Sequence, residues 1–97
     1  MVNQMPQSVA GAIIARQLMR AGLSIGANTE EARGSTTKKE FSRKMSIALS
    51  EARESLYWLR LVAEGELVVK NRLSLLLKEA DELVRILTAI VKKSKLT

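Results

Sequence analysis

The sequence has no cysteine and no histidine, one proline, and one residue each of Phe, Tyr and Trp. Without cysteine there is no disulfide, and without both residue types there is no zinc site of the usual ligand kinds. The same absences remove the side chains used most often as general base or strong nucleophile at neutral pH. No glycine-rich loop fits a dinucleotide or P-loop pattern. No apolar run reaches the roughly 18 residues that a membrane-spanning helix needs. Ala10–Ala15 is small and apolar but lacks the preceding basic run of a signal peptide. These absences predict a soluble, cytoplasmic, non-catalytic protein without metal or cofactor.

What remains is a helical composition. The 97 residues suffice for one domain, and 46% of them are hydrophobic, mostly Leu, Ala, Ile and Val. The formal net charge of +6 favours anionic partners such as nucleic acid, and is equally compatible with simple solubility.

Apolar spacing of four and three predicts three long helices, at about 8–33, 38–64 and 71–93. In the first, Ile14, Leu18, Ala21, Ile25 and Ala32 share one seam, with Asn28 at an inside position. Ser8 is its candidate cap. Gly22 and Gly26 lie within this helix, and each costs about 1 kcal/mol relative to Ala. Close approach of another helix is the expected compensation. Gly34 is placed to end the helix in the left-handed conformation. Thr37 and Glu40 then have the spacing of a capping box for the second helix. Its seam is Phe41, Met45, Ala48, Ala52, Ser55, Leu59 and Val62. Gly65 ends it, 67–71 makes the return, and Asn71 is a candidate cap for the third helix. The third seam is Leu73, Leu76, Ala80, Leu83, Leu87 and Ile90, flanked by Leu77, Val84 and Val91. That face is wider than a two-helix seam requires. Short connections imply antiparallel neighbours, so the fold class is an all-α, up-down helical bundle.

This topology gathers charge that is dispersed in the sequence. The end of the first helix, the start of the second and the end of the third fall at one pole. Arg33, Lys38, Lys39, Arg43, Lys44, Lys92, Lys93 and Lys95 meet there, opposed by Glu30, Glu31 and Glu40. The functional reading is a phosphate-binding pole for RNA or DNA with little base specificity. The plainer reading is a set of solvated, dipole-complementing helix ends. Aromatic side chains for base stacking are missing there apart from Phe41, which reads as core.

Two further groups stand out. Ser24, Asn28 and Glu31 form a polar stripe on the first helix, and Glu51 and Glu54 sit between Ile47, Trp58 and Leu61 on the second. A di-metal carboxylate site would need histidine partners. A polar network fixing register between the two helices is the better expectation, with Arg16 and Arg20 as further partners. Tyr57 and Trp58 point about 100° apart on a helix. One is expected in the core and the other near a second surface, where an oligomer contact is the alternative to a simple boundary position.

The segments Gln17-Leu18-x-Arg20-Ala21-Gly22 and Ser24-Ile25-Gly26-Ala27-Asn28-x-x-Glu31-Ala32 resemble the 23S rRNA intervening-sequence (S23-like) family. The likeness continues in Glu40-Phe41-x-x-Lys44-Met45-x-Ile47-Ala48, in Glu51-Ala52-x-Glu54-Ser55-x-Tyr57-Trp58-Leu59 and in Glu79-Ala80-Asp81-Glu82-Leu83-x-x-Ile86-Leu87. It implies a four-helix bundle that assembles into a ring-like homo-oligomer. A more distant likeness is to accessory proteins of diversity-generating retroelements, basic bundles that bind nucleic acid and a reverse transcriptase. The resemblance carries no catalytic residues. It also implies a helix before Pro6, so this chain is expected to show the family bundle lacking most of its first helix. The apolar groove so left, on the order of several hundred Å², would be filled by another chain or by part of this one. Taken together, the sequence predicts a non-catalytic, oligomeric binding or scaffold protein with nucleic acid as favoured partner. The alternative is a purely structural or protein–protein adaptor.

Overall fold

A computed structural model describes residues 9–64 and 70–95, with side chains from residue 73 onward in the second segment. They form α1 (Val9–Arg33), α2 (Lys38–Glu64) and α3 (Lys70–Lys95). Among the described residues there is no strand. Ser8 and Gly65, expected as cap and stop, lie outside the described residues, as does most of the return segment. Asn71 falls within the first turn of α3 rather than ahead of it.

The turn between α1 and α2 is local chemistry. The Glu40 amide donates to Thr37 Oγ1 at 3.1 Å, and the Phe41 amide donates to the Thr37 carbonyl at 3.1 Å, so Thr37 caps α2. The return half of the box is replaced, because the Glu40 carboxylate turns to Arg43 instead, at 3.9 Å. Gly34 does not adopt the expected left-handed conformation. The chain leaves α1 through tight i→i−3 bonds, from the Gly34 amide to Glu31 O and from the Ser35 amide to Ala32 O, each 3.1 Å. Ser35 Oγ adds a bond to the Glu31 carbonyl at 3.2 Å. The Glu31 and Ala32 carbonyls are thereby satisfied without a left-handed residue.

The core consists of two clusters along the bundle. One joins Ala32 near the end of α1 to Met45, Ala48 and Ala52 in α2 and to Leu87 and Val91 late in α3. The other joins Ile14 early in α1 to Leu59 and Val62 late in α2 and to Leu73 early in α3. This pairing of early with late positions fixes an up-down-up, antiparallel order. The α2 helix packs against both others, whereas α1 and α3 make no close backbone approach among the described residues. Gly11 and Leu56 are buried as well, outside the predicted seams.

Close helix approach comes from alanine, not glycine. Ala21 and Ala48 are fully buried, and Ala32 and Ala52 nearly so. Gly22 and Gly26, by contrast, have no atom within 4 Å of where a Cβ would stand. The expected compensation for these glycines is therefore not found among the described residues. They lie on a stripe of α1 that carries exposed Met19 and Leu23 and turns away from α2. On α3, Leu75, Leu83 and Ile86 form a corresponding exposed stripe. Because α2 runs antiparallel to both helices, the helical rotation of about 100° per residue leads both stripes toward the corner diagonal to α2. Among the described residues, α1, α2 and α3 occupy three corners of the bundle, and the side opposite α2 is bordered by apolar side chains.

Gly22→Ala and Gly26→Ala are accordingly expected to raise stability by about 0.5–1 kcal/mol each, because helix propensity improves with no steric cost. Ala52→Leu is expected to lower it by about 1–3 kcal/mol through overpacking. Urea unfolding monitored by circular dichroism measures both. Destabilisation by Gly26→Ala would show that a close contact does form at that point.

Candidate functional site

The basic pole is built as the topology predicts. Ser94 Oγ donates to the Val91 carbonyl at 2.7 Å and accepts from the Ser42 hydroxyl at 3.0 Å, joining the end of α3 to the start of α2. The eight predicted cations are not equivalent, however. Lys44 is drawn down to Glu31 at 2.7 Å and is largely covered. Arg33 pairs with Glu30 at 3.4 Å and Arg43 with Glu40 at 3.9 Å. All three acids of the pole are thus engaged. Lys38, Lys39, Lys92, Lys93 and Lys95 are exposed and carry no ion pair among the described residues. The excess positive charge is concentrated in these five lysines, at the N-terminus of α2 and the C-terminus of α3.

Two adjoining concavities open on this pole. One, about 540 Å³, has Phe41 and Ile90 on its walls with Ser35, Thr36, Thr37, Lys38, Lys93 and Ser94 around them. The second, about 570 Å³, lies between Lys38, Lys39, Ser42, Arg43, Ser46, Ser94 and Lys95. No acid lines either one. Sequence reasoning found the cations but missed the hydroxyls and the partial exposure of Phe41. Alternation of apolar and polar positions marks Phe41 as inward but cannot show that the inward side is open at this end.

The predicted polar network divides into separate parts. Ser24 and Asn28 do not reach α2. Asn28 Nδ2 donates within α1 to the Ser24 carbonyl at 2.9 Å and to Ser24 Oγ at 3.2 Å. A short amide side chain can reach one turn back more easily than across to another helix. Arg20 makes the connection instead. Its guanidinium donates to Glu51 at 3.0 Å, to Glu54, and to Gln17 within α1 at 3.1 Å. Glu54 also accepts from Trp58 Nε1 at 3.2 Å. Glu31 bonds Lys44, one further cross-link between α1 and α2. Glu51 and Glu54 therefore belong to a structural clamp, and among the described residues no group of three carboxylates could hold a metal ion.

Tyr57 and Trp58 do separate as expected. Trp58 is half-buried against the second core cluster, while Tyr57 is exposed. Their rings still touch edge to face, with centroids 5.2 Å apart and an interplanar angle of 69°.

These features define an all-α, up-down bundle with one strongly cationic end. The chain belongs to the 23S rRNA-intervening sequence protein family, whose model matches residues 1–89. Among solved structures it is similar to a protein of unknown function from the S23 ribosomal protein family of Bacteroides thetaiotaomicron VPI-5482. The two are 34% identical with a TM-score of 0.77, over 82% of this chain and 74% of that one. No curated protein matches the chain. Among the described residues, no helix is long and apolar enough to cross a membrane.

The clamp sets a pH response. Hydrogen bonds from Arg20 and Trp58 hold the Glu54 carboxyl below its ordinary value, and Lys44 does the same for Glu31. A carboxyl with a depressed folded value stabilises the fold fully above its unfolded value of about 4.3 and loses that contribution as pH falls through the folded value. The thermal midpoint is therefore expected to stay level between roughly pH 7 and 5 and to fall below about pH 4. Glu54→Gln should make that fall shallower. A midpoint that rises on acidification would contradict the clamp.

Proposed function

We propose that the protein is a non-catalytic binding module whose basic pole holds the phosphates of RNA or DNA. The observation that supports this is the pattern of neutralisation. Every acid at the pole is paired, yet five lysines stay unpaired, and four of them, Lys38, Lys39, Lys93 and Lys95, line hydroxyl-bearing, acid-free concavities. Helix ends arranged only for dipole compensation would place cations at the α3 C-terminus, but not Lys38 and Lys39 at the α2 N-terminus, which is already positive. A pole that assembles like charges against the dipole suits an anionic partner. The ribosomal-protein family of the solved relative is compatible with an RNA partner.

Titration of single-stranded RNA against the protein should give an affinity that falls with salt. The expected slope of log K against log salt is on the order of −3 for four or five phosphate contacts. Changing Lys38, Lys39, Lys92 and Lys93 together to Ala should abolish binding, whereas Arg60→Ala with Lys78→Ala, toward the other end, should not. Absence of binding at low salt, or equal loss from both sets, overturns the proposal.

A second reading is favoured by the open apolar corner. Met19 and Leu23 on α1, and Leu75, Leu83 and Ile86 on α3, are all more than a third exposed. Soluble monomers rarely leave such contiguous stripes uncovered. On this reading the protein is a homo-oligomer or adaptor that seats another helix there, with exposed Tyr57 as a further contact. The two readings are compatible, since the corner and the pole use different residues. Light scattering should then give a mass above that of one chain, and Leu83→Glu with Ile86→Glu should reduce it. A monomer at all concentrations would refute this second reading.

A further inference from the structure

We propose that the pole takes an unpaired nucleotide of a single strand, with the base in the Phe41 slot and its phosphate in the neighbouring lysine groove. This rests on the nucleic-acid reading above and goes beyond it, because phosphate binding alone does not distinguish single from double strands.

The two concavities abut. Lys38 and Ser94 line both, so they form the ridge between an apolar slot and a cationic groove. The slot is lined by the half-buried side chains of Phe41 and Ile90, one aromatic and one aliphatic. Both pack against the core cluster that includes Ala32 and Val91, so the slot walls are held by buried structure rather than by loose surface chains. Its volume of about 540 Å³ falls within the range of small-ligand sites. Hydroxyl-bearing residues line its rim, and Thr36 is exposed there. Ser35, Thr37 and Ser94 are engaged within the fold, so Thr36 is the rim hydroxyl placed to meet a base edge, and one hydroxyl that can donate or accept would make the slot tolerant of sequence.

The groove beyond the ridge contains Lys39, Arg43 and Lys95 with Ser42 and Ser46, and no carboxylate lines it. A phosphate there would meet ammonium and hydroxyl donors near the start of α2, where the backbone amides add positive potential. An apolar slot beside a cationic groove is the chemistry of a base and its phosphate. A stacked base pair presents no free face, so a duplex could use the groove but not the slot. An apolar peptide would suit the slot but would leave the lysine groove without a counter-charge.

The test compares four probes at one ionic strength by fluorescence anisotropy. They are an eight-nucleotide single-stranded RNA, an RNA duplex of the same length, an eight-unit abasic sugar–phosphate strand, and adenosine 5′-monophosphate as competitor. The single strand is expected to bind roughly tenfold more tightly than the abasic strand, the scale of one base stacked on an aromatic ring. It should also outbind the duplex, and the mononucleotide should compete only weakly. Phe41→Leu keeps an apolar side chain in the core and should bring single-strand affinity down to the abasic level, with the thermal midpoint as a check on folding. Thr36→Phe, on the exposed turn, should obstruct the slot with the same result and no demand on the core. Equal affinity for single, abasic and duplex probes would overturn the slot and leave the phosphate-binding reading intact. Tight binding of the mononucleotide alone would replace the strand by a free nucleotide and overturn this proposal. No binding of any probe at low salt would refute the parent reading and the slot with it.

Discussion

The four-residue turn from Gly34 to Thr37 sets how α1 and α2 meet. It leaves α1 through i→i−3 bonds and starts α2 with a threonine cap, so the two helices must run side by side in opposite directions. Once they do, Arg20 reaches Glu51 and Glu54 across one interface and Lys44 reaches Glu31 across the same interface nearer the turn. Those pairs are partly exposed, and isolated surface ion pairs contribute little to stability. Their role is orientation: charged groups at two heights along the helices disfavour a sliding of α1 past α2, which alanine surfaces alone would tolerate.

Alanine is the other half of that constraint. Ala48 and Ala52 let α2 be approached from both sides, and Ala21 and Ala32 supply small surfaces on α1. Larger side chains, Leu59, Val62 and Leu73 with half-buried Trp58, fill the cluster at the far end. The cluster nearer the turn combines Ala32, Ala48 and Ala52 with Met45, Leu87 and Val91. There Phe41 and Ile90 are large relative to their neighbours, and they are left half-covered at the edge.

Much of the fold was legible because the information is periodic. Four–three spacing marks seam residues wherever a helix is long, and Ile14, Ala21, Met45, Leu59 and Leu87 are buried as that spacing requires. The cap at Thr37 was legible because it depends on two residues three apart. What spacing could not reveal was which side of a helix has a neighbour. Gly22 and Gly26 looked like a packing surface and face open space, whereas Ser24 and Asn28 looked like cross-helix donors and bond along their own helix. Arg20 has the reach that Asn28 lacks, and side-chain length rather than polarity selected the partner of Glu51 and Glu54. At the pole, the set of cations followed from topology alone, but their division into paired and unpaired members depended on where Glu30, Glu31 and Glu40 turned.

That division also bears on how the two ends of the function relate. Lys44, Arg33 and Arg43 are held by acids of α1 and α2. The unpaired lysines lie at the α2 start and the α3 end, on the side of the bundle where α1 contributes no acid. Binding an anion there would place negative charge between lysines that otherwise repel, since Lys38 shares one concavity with Lys93, and Lys38 and Lys39 share the other with Lys95. The cost of bringing those lysines together is then relieved by the ligand. Affinity would come in part from removing a repulsion already built into the fold, and would weaken with salt for two reasons: screened attraction to the ligand and screened repulsion in the free protein.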